Sequence, residues 1–329
     1  MFRPGPDSDI AKHFQALVLG LRRARVVPFI GAGIAHCDRP PGEVWNPHRA
    51  FPPDGSELAN YLAATIGQPD SSGDLVRIAQ FIAIEQGLGP LNEELRLVFS
   101  ADYQPNRLHR LIAPFPSLLR AKNLTLATQL IVTTNYDDLV ERAFQSIGEP
   151  YDVVTYIARG PDKGKFLHIP PQGEGEPQVI HRPNEYITVS PDKRSVILKV
   201  HGAISRDNSD ADSYVITEDQ YIDYLTRGPL ETLLPIKLTR QLKRSHLWFI
   251  GYGLKDWNLR VILHRIADEQ DREGSTYHHW AVQWHPDPLE TKFWKARDVQ
   301  FIDLNALNCS LSDYADTLGC LLKDMPPYA

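Results

Sequence analysis

Three side chains stand where apolar runs break off abruptly: Asn135, Asp137 and His201. Asn135 and Asp137 follow Ile131-Val132-Thr133-Thr134, and His201-Gly202 follows Ile197-Leu198-Lys199-Val200. A carboxamide at such a tip can orient a water or a sugar hydroxyl, and a carboxylate can accept bonds from an amide. A histidine there can serve as a base near neutral pH or hold a hydroxyl. Two more apolar runs end in glycine, at Gly31-Ala32-Gly33 after Val27-Pro28-Phe29-Ile30 and at Gly251-Tyr252-Gly253 after Leu247-Trp248-Phe249-Ile250. Glycine turns tightly and lets the backbone approach a phosphate with no Cβ in the way. Each feature has an ordinary alternative: helix capping for Asn135 and Asp137, a plain tight turn for the glycines, a structural role for the histidine. Their concurrence at four run ends is what points to a dinucleotide site.

Each of the four runs has the length and near-continuous apolar character of a buried parallel strand, and ligands of open α/β sheets sit just outside the carboxyl ends of such strands. Helical spacing is expected over Ile10 to Arg23, then a Pro- and Gly-rich loop from Ala35 to about Pro53. Ser56 to Ile66, Asp74 to Ile84 and Leu91 to Phe99 read as amphipathic helices, with Ser56 and Asp74 as N-caps. They form a helical insertion over about residues 54–125. Asp137 to Phe144 reads as a helix with acidic residues in its first turns, where they complement the dipole. Residues 152–191 show no helical period and read as an irregular lid or interface excursion, with a hairpin near Val179 to Val189. Helices over Thr217 to Leu225, Leu230 to Leu242, Asp256 to Ala267 and Leu311 to Leu322, and strands over His279 to Trp284 and Val299 to Ile302, complete the pattern. Strands alternating with helices give an α/β class: one domain over 1–329, with a Rossmann-like doubly wound parallel sheet.

Composition excludes more than it assigns. The formal charge of −6 offers no general reason to bind nucleic acid. Three cysteines are too few for a four-cysteine zinc ribbon, so no metal is expected. No apolar run nears the ~20 residues that cross a bilayer. The polar start lacks a signal-peptide core, which places the chain in the cytosol by expectation.

Taken in order, these segments resemble the sirtuin-like NAD-binding fold. Thr133-Thr134-Asn135-Tyr136-Asp137-Asp138-Leu139-x-Glu141 is similar to the pattern of its bacterial antiphage-defence branch, and Val215 to Tyr221 and Asp256 to Arg260 are similar to its connecting segments. The resemblance implies that Asn135 and His201 are the catalytic pair and that Asp137 holds the nicotinamide amide. It implies that Gly31, Ala32, Gly33, Thr134, Gly251, Tyr252 and Gly253 line the dinucleotide. Ala35 stands where the family usually has serine. The Ile-Pro-x-Phe-Arg segment of deacetylating members is absent from Ala35 to Trp45, which with the missing zinc ribbon points away from a deacylase. The implied activity is an NAD+ glycohydrolase that depletes NAD+ in antiphage defence. Its enzyme rival is an NAD-dependent deacylase or ADP-ribosyltransferase, and its non-enzyme rival a module that senses NAD+ or ADP-ribose. Toxic NAD+ loss needs restraint, so a homo-oligomer docking on a HerA-type hexameric ATPase, or on another co-encoded defence protein, is expected.

Overall fold

The computed structural model describes residues 4–5, 7–68, 73–123, 128–228, 230–254, 260 and 277–324. Ser8 caps α1 (Asp9–Arg22), its hydroxyl accepting from the Ala11 amide at 3.3 Å. β1 (Val26–Ile30) is buried throughout, and a 3-10 turn over Ala32–His36 follows at once. Next come α2 (Gly55–Thr65), α3 (Leu75–Glu85) and α4 (Leu88–Phe99). The cap of α2 is Asp54 rather than the expected Ser56. Its carboxylate accepts from the Glu57 amide at 2.8 Å while Glu57 accepts from the Asp54 amide at 2.9 Å, a reciprocal capping box. Asp74 caps α3 as expected. Two helices outside the sequence expectation, α5 (Arg107–Ile112) and α6 (Phe115–Ala121), are too short to show a helical period.

After β2 (Leu130–Thr133) and α7 (Leu139–Ser146) comes the largest departure from expectation. The stretch expected to be irregular opens with three strands, β3 (Tyr151–Tyr156), β4 (Phe166–Ile169) and β5 (Gln178–Ile180). β4 pairs antiparallel with both of its neighbours, Val154 opposite His168 and Leu167 opposite Val179. The hairpin therefore lies earlier than Val179 to Val189, because the Pro- and Gly-rich segments that hide it from periodicity are its connecting loops.

β6 (Ser195–Lys199) and α8 (Glu218–Thr226) follow. The helix expected over Leu230 to Leu242 divides into α9 (Leu230–Leu233) and α10 (Ile236–Lys243) at Pro235, which cannot donate to a helical ladder. The remaining elements are β7 (His246–Ile250), β8 (His279–Gln283), α11 (Pro288–Lys295), β9 (Val299–Asp303) and α12 (Leu311–Lys323). The helix expected over Asp256 to Ala267 lies, Arg260 aside, outside the described residues.

The nine strands form one sheet in the order β5-β4-β3-β6-β2-β1-β7-β8-β9. Eight run in one direction and β4 alone runs against them, its two antiparallel pairings lying at one edge, so the sheet is mixed rather than wholly parallel. The run β6-β2-β1-β7-β8-β9 has the doubly wound Rossmann order, with the chain reversing direction about β1. Alternate side chains feed two cores. Val27, Phe29, Leu130, Val132 and Phe249 pack with Leu238 and Leu242 of α10 and Trp294 of α11. On the opposite face, Ile30, Ile131, Trp248 and Trp280 pack with α1, α5, α7 and α12. A third core gathers α2, α3 and α4 around Trp45 and reaches Tyr136, Tyr214 and Ile216. The stretch 54–125 is thus shared between two cores: α2 to α4 build their own, while α5 and α6 cover the sheet.

Candidate functional site

The switch point falls between β1 and β7, whose Ile30 and Ile250 lie in register. There the two glycine turns interlock. Gly31 and Gly33 donate their amides to the carbonyls of Ile250 and Gly251, at 3.0 and 2.7 Å. A methyl group on Gly33 would sit 2.7 Å from the Gly251 oxygen, and one on Gly251 (φ +61°) would overlap the Ile34 amide. These glycines are therefore demanded by backbone packed on backbone, not by ligand approach alone. Gly31 is part of this lock, behind the residues that line the neighbouring cleft. Ala32, Gly33, Gly251, Tyr252 and Gly253 do line it.

The tips of β2 and β6 are laced together by main-chain and side-chain bonds. Ile204 donates to the Tyr136 carbonyl at 2.9 Å, the Tyr136 hydroxyl to the Val215 carbonyl at 2.7 Å, and the Val215 amide to the His201 carbonyl at 2.9 Å. Gly202 (φ +86°) lies against Ser213 with no room for a side chain. This lacing brings Thr134, Asn135, Asp137 and His201 to the wall of a single cleft of about 1300 Å³.

Asn135 does not cap the following helix. Its amide donates to Thr133 Oγ1 at 3.0 Å, and its own Oδ1 is buried with no hydrogen-bond partner among the described residues. The N-cap, Asp138, makes no side-chain cap bond, and Asp137, one residue ahead of it, accepts from the Leu139 amide through Oδ1 at 3.1 Å. Only 6% of Asp137 is exposed, and burial pushes its carboxyl up to about 6 against the opposing pull of the Lys199 ammonium. His201 is 3% exposed and packs edge-on against the rings of Tyr221 and Tyr224, 5.3 and 6.1 Å away.

Lys199 is the main residue that sequence reasoning missed. It is fully buried at the end of β6, where its ammonium donates to the Asp137 carbonyl and to Glu141 Oε1, the latter at 2.9 Å. A cation held in low dielectric beneath two acidic groups fixes the backbone that carries Asp137. The available signal was a lysine inside an otherwise apolar strand. Gln283, at the end of β8, also joins the site by donating to the Tyr252 carbonyl at 2.7 Å. Among the described residues, no group of three or more His, Cys, Asp or Glu side chains is placed to hold a metal ion. No helix among them is long and apolar enough to cross a membrane.

A SIR2-like domain profile matches residues 129–302, more than half of the chain, which therefore belongs to the SIR2-like domain family. Defense-associated sirtuin 2 of Bacillus subtilis is 22% identical over 309 residues, covering 92% of this chain and 25% of the relative. An NAD(+) hydrolase ThsA of Acinetobacter baumannii (strain 532279) is 29% identical over 199 residues, covering 60% of this chain and 32% of the relative. The chain thus spans a quarter to a third of the length of these relatives. Among solved structures, a Sir2 homologue in complex with NAD superposes over 94% of each chain at 15% identity, with a TM-score of 0.36.

Proposed function

We propose that this chain hydrolyses NAD+ between nicotinamide and ribose, releasing nicotinamide and ADP-ribose. The observation that carries the reading is the Asn135 carboxamide oxygen, buried in the cleft that Asp137 and His201 also line, with no hydrogen-bond partner among the described residues. Leaving a buried acceptor unpaired costs about 1–3 kcal/mol, a cost that a water or ribose hydroxyl from outside would relieve. Nicotinamide leaves as a neutral base, so the bond from C1′ to the ring nitrogen breaks with its electron pair on nitrogen and positive charge develops on the ribose. Water held by Asn135 supplies the oxygen that bonds C1′, and one proton is released. His201 binds or deprotonates a ribose hydroxyl, and Asp137 accepts from the carboxamide of the leaving group. Positioning of this kind can supply several kcal/mol of the barrier reduction.

The names of the defence-associated relatives support a role in antiphage defence, exercised on the cytosolic NAD+ pool. Restraint of the activity is assigned to assembly, as a homo-oligomer docked on a HerA-type ATPase or another co-encoded protein. Nicotinamide release by the purified protein, alone and with its gene neighbour's product, tests the reading. Tight NAD+ binding without turnover under every condition would replace the enzyme with a sensor.

A further inference from the structure

We propose that His36 receives the pyrophosphate of the dinucleotide, an assignment that rests on the NAD+ reading above. The interlock of the glycine turns uses up several amides of the first turn. Gly31, Gly33 and Ile34 donate to the carbonyls of Ile250, Gly251 and Gly31 within the protein. The usual source of phosphate-binding amides is therefore reduced, and a full positive charge has to come from a side chain.

Cleft-lining side chains make that need sharper. Among the described residues, Glu43, Asp54, Asp137, Asp287 and Glu290 line it beside one arginine, Arg39. Glu43 and Glu290 are offset by Arg49 and Arg260. Arg39 is committed elsewhere: its guanidinium, 4% exposed, grips Glu57 at 2.6 and 3.1 Å and the Pro52 carbonyl at 3.0 Å. A doubly anionic pyrophosphate entering such a cleft meets net negative charge unless a histidine takes up a proton.

His36 closes the 3-10 turn that begins at Ala32, and its side chain is 51% exposed in the cleft. Its Nε2 lies 2.9 Å from Asp54 Oδ2. Burial alone would raise the Asp54 carboxyl, but the bonds from His36 and from the Glu57 amide outweigh it and hold the group below its ordinary value. Asp54 is therefore a carboxylate throughout the range in which imidazoles titrate. An imidazolium in this place donates from both nitrogens, Nε2 to Asp54 and Nδ1 to a phosphate oxygen. The charged neighbours on the packed elements are Asp54, Arg39, Glu57 and Glu43. His201 is assigned to the ribose, and His285, which also lines the cleft just past the end of β8, packs edge-on against Trp284. Because Asp54 also caps α2, the contact joins the dinucleotide to the helical core of α2 to α4.

The test is a binding titration of the full chain with ADP-ribose and with nicotinamide riboside, at pH 6 and pH 8. ADP-ribose lacks nicotinamide and so bypasses Asp137, and nicotinamide riboside lacks the pyrophosphate. The parent should bind ADP-ribose about tenfold more tightly at pH 6, the scale of one charge-assisted hydrogen bond. His36→Gln should lose that difference while its melting temperature and its affinity for nicotinamide riboside stay at parent values. Asp54→Asn, which keeps the helix cap, should flatten the pH dependence too. An unchanged pH dependence in His36→Gln, or equal weakening of both ligands, overturns the assignment. A parent that binds ADP-ribose at neither pH overturns it together with the NAD+ reading, whereas binding with an indifferent His36→Gln overturns this assignment alone.

Discussion

Asp137 should trade stability for function, and the trade can be measured. Its folded carboxyl titrates at about 6, against an ordinary value of 3.8, because burial disfavours the charge. Since the folded value is raised, the ionised form is the destabilising one. The associated stability is fully present below 3.8 and is lost as pH rises through 6. A difference of about 2 units corresponds to about 3 kcal/mol at pH 8, falling to roughly 1.6 kcal/mol at pH 5 and to near zero at pH 3. Asp137→Asn keeps an oxygen for the Leu139 amide but carries no charge. It should therefore be more stable than the parent by up to this amount at pH 8, with the gain halving by pH 5. It should also lose about a hundredfold in nicotinamide release, because an amide presents a donor where the leaving group needs an acceptor. Urea unfolding at the two pH values, paired with a nicotinamide assay, reads both effects. A stability change of the same size at both pH values, or a loss of stability at pH 8, would refute the burial argument.

Other perturbations separate chemistry from scaffold. Asn135→Ala removes an unpaired buried acceptor, so thermal unfolding should show stability unchanged or raised by about 1 kcal/mol, while nicotinamide release falls at least a hundredfold. Parent-level turnover in both Asn135→Ala and His201→Ala would show that the pair is misassigned. Lys199→Met strands Glu141 as a buried charge and should cost about 3–5 kcal/mol in denaturant unfolding, and adding Glu141→Gln should recover much of it. No recovery in the double variant would mean that the ion pair is not what Lys199 supports. Gly251→Ala, forced into left-handed backbone against Ile34, should fold poorly or not at all, whereas Gly253→Ala, with open space around it, should melt within a degree or two of the parent. Equal behaviour of the two would contradict the interlock.

Much of the site was legible because its carriers are parallel strands buried on both faces. Such strands must be continuously apolar, and a run that stops at Asn135, His201 or a glycine marks its own tip. β1, β2 and β7 accordingly each begin just one residue ahead of the runs that start at Val27, Ile131 and Leu247. The antiparallel edge was not legible. β4 and β5 are four and three residues long, and what makes them strands is pairing with β3 across intervening turns. α11 carried a signal that periodicity alone missed, Asp287 as cap followed by Pro288 in the first turn.

From the sequence alone came the strand-and-helix alternation, the four strand tips and the chemical types standing on them, all properties of segments only a few residues long. Tertiary structure alone decided which tips meet. It set β1 beside β7 so that amides of the first glycine turn donate to carbonyls at the second, and it laid Lys199 under Asp137. It also brought Asp54, eighteen positions along the chain, to the ring of His36. Local spacing is written in covalent order, but the charge a residue feels depends on what folding packs around it. Asp137 and His36 acquire their properties from partners that no window of the sequence contains.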